Sequence, residues 1–89
     1  MGQDIRDCLS DAFYMLFGRN IPKEITPRDI KDMKTELNRL AEERVGHQFP
    51  KKILRENIEY YLKSRTYEKE FVKNYQALNR PQWVYRLPK

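Results

Sequence analysis

The feature that most limits what this chain can fold into is a succession of apolar stripes at helical spacing, cut at intervals by glycine and proline. Ile5, Cys8, Leu9, Ala12, Phe13, Leu16 and Phe17 recur in steps of three and four, which predicts one helix. Asp4 can cap its start and Gly18 stops it. Residues 18–26, GRNIPKEIT, form a loop around Pro22, with Ile21 and Ile25 free to tuck beneath it. Thr26-Pro27 then opens a second helix, because threonine caps free amides and proline suits a first turn. Its stripe is Ile30, Met33, Leu37, Leu40, Ala41 and Val45, ended by Gly46.

After Phe49-Pro50 a third helix is expected, with Ile53, Leu54, Ile58, Tyr61 and Leu62 facing inward. It halts at Ser64. A fourth is expected from Arg65 to about Leu78, on Tyr67, Phe71, Tyr75 and Leu78. Gln82 to Leu87, between Pro81 and Pro88, is rich in β-formers and reads as a strand. The expected fold is mainly α: a compact four-helix domain with a short C-terminal strand or hairpin, residues 1–89 forming one domain.

A chain of 89 residues can bury only a small core, and its eleven aromatic residues argue that it does so. No apolar run reaches membrane-spanning length, and MGQDIRD lacks a signal-peptide layout. Arg6 stands where a myristoylated chain carries serine or threonine. With one cysteine, no internal disulfide forms, and a cytoplasmic, reducing setting is expected. Cys8 lies on the apolar stripe and reads as a small core residue, and His47 as a turn residue. No catalytic constellation, paired carboxylates or glycine-rich phosphate loop is legible, so no enzyme, cofactor, metal or small-molecule substrate is expected.

Charge is distributed unevenly. Residues 51–89 hold ten basic side chains against Glu56, Glu59, Glu68 and Glu70, a sum of +6, although the whole chain carries only +5. A one-sided excess of this kind suits a polyanion. The charges of the second helix balance one another and read as a solvated face.

The halt at Ser64 bears on the site. Serine is poor inside a helix and good at an N-cap. As the cap of a fourth helix it leaves the amides of Arg65, Thr66 and Tyr67 free, and a helix N-terminus with free amides attracts anions. Lys63 and Arg65 adjoin it, Lys51, Lys52 and Arg55 lie one helix earlier, and Tyr60, Tyr61 and Tyr67 interleave with them. Cations with amides hold phosphate, and tyrosine rings stack on sugar or base.

The spacing Leu54-Arg55-x-x-Ile58-x-x-Tyr61-x-x-Ser64-x-x-Tyr67 resembles the central signature of the ProQ/FinO domain of bacterial RNA chaperones. The order upstream is also similar: a helix ending in an aromatic, a loop from Ile21-Pro22 to Ile25, and a helix near Asp29-Ile30. The chain departs from that pattern at Leu62, where the family has threonine. It departs again after Tyr67, where no glycine follows and either Arg80 or Arg86 takes the place of the family arginine. The resemblance implies binding of a structured RNA, a stem-loop with a single-stranded 3′ end, by a chaperone or post-transcriptional regulator; apart from it, a monomer is expected. On it, Ser64 and the amides after it, Thr66 among them, meet terminal phosphates. Tyr61 or Tyr67 contacts the terminal ribose. Lys51, Lys52, Arg55, Lys63 and Arg65 follow the stem. Two other readings stand beside this one. The third helix could read DNA through Arg55, Asn57 and Glu59, or a patch of Trp83, Tyr85 and Leu87 could meet a protein partner.

Overall fold

The computed structural model describes residues 2–75 and 80–88. In chain order it holds α1 (Gly2–Phe17), β1 (Glu24–Ile25), α2 (Pro27–Arg44), α3 (Lys51–Ser64), β2 (Glu68–Tyr75) and β3 (Arg80–Arg86). The strands form one antiparallel sheet in the order β1-β3-β2. The four-helix expectation is therefore corrected: this is an α+β domain of three helices and a three-stranded sheet.

Local chemistry explains the helix ends. α1 begins at Gly2, ahead of Asp4, and Gly18 ends it at φ 60° while its amide donates to the Tyr14 carbonyl. α2 opens with a full capping box, in which the Thr26 hydroxyl accepts from the Asp29 amide and the Asp29 carboxylate accepts from the Thr26 amide at 2.9 Å. Gly46, at φ 85°, closes the far end. α3 has no comparable start. Its N-cap is Pro50, with no side-chain cap and no acidic residue in the first turn.

The expected fourth helix is strand β2 over residues 68–75, and its last expected residues, 76–78, lie outside the described residues. The four-residue spacing of Tyr67, Phe71 and Tyr75 is compatible with a helix and, being even, with a strand, so the aromatic spacing alone does not select a helix. The decisive event is at residues 64–67. Thr66 is left-handed at φ 70°, the only such non-glycine among the described residues. The Thr66 amide donates to the Lys63 carbonyl and the Tyr67 amide to the Leu62 carbonyl, both at 3.0 Å. That pair of bonds is a Schellman stop, a helix C-terminus rather than an N-terminus.

Against the inner face of the sheet the three helices bury Ile5, Cys8, Leu9 and Phe13 of α1, Met33, Leu37 and Leu40 of α2, and Leu54, Ile58 and Leu62 of α3. Ile25, Tyr67 and Tyr85 close this core from the sheet side. Cys8 is buried as its position predicts, whereas Ile53, expected inward, is exposed. Each fully buried leucine contributes about 1.5–3 kcal/mol relative to exposure.

Candidate nucleic-acid interface

The outer side of α3 carries Lys51, Lys52, Arg55, Glu56, Tyr60 and Lys63, all exposed. Among the described residues, Lys51, Lys52 and Arg55 make no ion pair, while Lys63 approaches Glu59 only at 3.8 Å. Lys51 and Lys52 also sit at the positive pole of the helix dipole, where cations are disfavoured by about 0.3–1 kcal/mol each. An anion bound across this turn would relieve that repulsion and take the amides that Pro50 leaves uncapped. Lys51, Arg55 and Glu59 follow one another at four-residue steps along the flank of α3 that meets the hairpin.

At the other end of α3 the expected anion site is absent. Ser64 is the last helical residue, and its hydroxyl donates to the Tyr61 carbonyl at 2.7 Å. The Arg65 amide donates to Tyr61 and Leu62, so all three amides expected to be free are spent inside the turn. Thr66 bonds only the carbonyl of Arg65 through its hydroxyl. The expectation that Ser64 caps a fourth helix is thus overturned by the Schellman stop.

The tyrosines are structural. Tyr67 is buried and its hydroxyl donates to the Pro22 carbonyl, fixing the first loop against the sheet. Burial raises its phenol pKa, with nearby Arg65 opposing. Tyr61 is half-buried, edge-on to Phe13 at 5.4 Å between ring centroids. Arg65 lies over both rings, 5.4 Å from Phe13 and 5.3 Å from Tyr61, so its guanidinium stays exposed but is oriented by α1. Tyr60 is the exposed tyrosine of α3, with Arg6 stacked over it at 5.4 Å.

The two arginines expected near the C-terminus differ. Arg80 opens β3, and its side chain lies outside the described residues. Arg86 projects from the outer face of the sheet, where Nε donates to Glu24 at 2.8 Å and Nη1 to Glu70 at 3.0 Å. It bridges the two edge strands, and the bond to Glu24 holds its pKa above the ordinary value. Lys51 and Ser64, thirteen residues apart, are separated by roughly 20 Å along the helix, so the expected residues do not form one pocket.

A second group was missed by sequence reasoning. A groove between α2, α3 and the hairpin gathers Lys34, Arg55, Glu59, Lys69, Trp83 and Tyr85. Lys69 and Trp83 reach it only because β2 and β3 pair, with Lys69 opposite Tyr85 and Phe71 opposite Trp83. In it Glu59 accepts from Lys69 at 3.3 Å. Burial first, and the adjacent Glu59 second, raise the Tyr85 phenol pKa. Among the described residues no group of histidine, cysteine or carboxylate side chains is arranged to hold a metal ion, and no helix is long and apolar enough to cross a membrane. Set against models of known protein families, curated proteins and solved structures, the chain gives no match.

Proposed function

We propose that this domain binds structured RNA by gripping the phosphate backbone of a stem along α3. The observation that carries the reading is the exposed set Lys51, Lys52 and Arg55, without an ion pair among the described residues, at an uncapped helix N-terminus. Two further observations favour backbone contact over base reading. The Asn57 amide donates to the Ile53 carbonyl at 2.8 Å, and Glu59 is held by Lys69. Two of the three side chains suited to base edges are therefore engaged within the protein. Cations flanked by such engaged side chains suit contact with a duplex through its backbone and shape, which is how A-form RNA is recognised. The ProQ/FinO-like spacing from Leu54 to Tyr67 supports the same class of target, although the 3′-end pocket proposed from Ser64 falls away with its free amides.

DNA is the second reading, favoured by the order of elements. α2, a connection over residues 45–50, α3 and a hairpin follow one another as in helix-turn-helix domains that lay a helix in the major groove. The test is a fluorescence-anisotropy titration of an RNA stem-loop against a DNA duplex of the same stem sequence, over a salt series. RNA should bind more tightly, with log K falling by about 3 per decade of salt if three phosphates are contacted. Tighter binding of DNA establishes the second reading, and no binding of either at low salt overturns both.

A further inference from the structure

We propose that the groove between α3 and the β2–β3 hairpin is a stacking site for an unpaired nucleobase on Trp83, against which Phe71 packs, with the attached phosphate held by Arg55 and Lys69. The inference rests on the nucleic-acid reading and assigns that surface a second, single-stranded subsite. Trp83 is 54% exposed and Phe71 47%, although both are large aromatic residues on paired strands. Their ring centroids stand 5.0 Å apart at 54°, so they form a tilted pair with ring surface open to solvent. Lys69 Nζ lies 5.0 Å from the Trp83 centroid.

A cross-strand aromatic pair stabilises a hairpin by itself. That role accounts for the mutual contact, and Glu59 and the Trp83 ring account for Lys69, but neither accounts for Lys34 and Arg55 beside them. Lys34 of α2, Arg55 of α3 and Lys69 of β2 converge on the groove from three elements, against one acid, Glu59, which Lys69 already engages. An apolar protein partner has no use for three cations at its rim. A nucleotide uses both parts, the flat base on the Trp83 ring and the phosphate on the cations. Arg55 belongs to this groove and to the exposed basic flank of α3. A strand leaving the stem held by α3 would enter the groove without a gap, so the occupant is an unpaired nucleotide adjoining a duplex.

Trp83 is the chain's one tryptophan, so its emission reports on this site alone. The experiment compares a blunt RNA hairpin with the same hairpin carrying an unpaired hexa-adenylate extension, following Trp83 fluorescence and anisotropy together. The extension should quench Trp83 and tighten binding about tenfold, the lower part of the range for stacking one base. Trp83→Ala should remove that gain and leave blunt-hairpin affinity unchanged. The quench is read on the unaltered protein and does not depend on the variant folding. Equal affinity for both hairpins with unchanged Trp83 emission overturns the stacking site and leaves the stem reading intact. Failure of both hairpins to bind at low salt overturns both.

Discussion

α2 and α3 are alike inside and unlike outside. Each buries a stripe of aliphatic side chains, Met33, Leu37, Leu40 and Ala41 in one and Leu54, Ile58 and Leu62 in the other. Outward, α2 carries five acids and five bases, and it spends Arg39 and Arg44 on itself and on α1. Arg39 bonds Glu36 and, at 3.1 Å, Glu43, while Arg44 pairs with Asp11 of α1 at 2.6 Å. α3 carries an excess of bases and leaves three of its four without an ion pair among the described residues. One helix has a complete capping box and the other begins on a bare proline. The difference teaches where to look for function: charges that cancel along a helix give a polyanion no net attraction, and the four bases of α3 against its two acids do.

The comparison can be broken from the inside first. Leu37→Ala and Leu62→Ala, both fully buried positions, should each cost about 2–5 kcal/mol in urea unfolding. A cost below about 1 kcal/mol for Leu62→Ala would mean that α3 is loosely docked, and the two helices would no longer be equivalent inside. On the outside, Lys52→Glu combined with Arg55→Glu should lower affinity for an RNA stem-loop about a hundredfold, taking roughly 1.4 kcal/mol for each lost charged contact. Arg39→Ala should leave both affinity and the thermal midpoint essentially unaltered, since its ion pairs are exposed. Equal losses from the two helices would dissolve the contrast.

The smallest effects sharpen the contrast at the helix starts. Thr26→Ala should destabilise the domain by about 1 kcal/mol through the lost cap. Pro50→Asp should leave stability within about 0.5 kcal/mol, because a new cap offsets the lost rigidity of proline. It should nevertheless weaken RNA binding several-fold, since its carboxylate would occupy the amides beside Lys51 and Lys52. Stability is read by thermal unfolding and binding by anisotropy, and unaltered binding by Pro50→Asp would remove the N-terminus of α3 from the interface.

Much of this was legible in the sequence wherever the signal is local. Gly18, Thr26-Pro27, Gly46 and Pro50 mark real boundaries, and the tail from Gln82 is a strand. Residues 65–78 were misread for two physical reasons. An even spacing of aromatics does not separate a helix from a strand, and the stop before it uses a threonine in the left-handed region where glycine is the expected signal. The basic flank of α3 was visible as a run of cations. Tyr67 is legible as part of an apolar stripe, but its anchor, the carbonyl of Pro22 45 positions away, is not. The groove of Lys69 and Trp83 depends on strand register, which no local pattern states.

The sheet order has a consequence for how the molecule comes into being. The middle strand is the last one in the chain, so neither edge strand has a neighbour until residues 80–86 exist. Glu24 and Arg86, joined in the finished sheet, are 62 residues apart. The helices can gather early from short-range contacts, but the strand that locks them arrives last and closes both edges in one event. The basic flank of α3 needs only one helix, whereas the groove beside it exists only once β3 has paired.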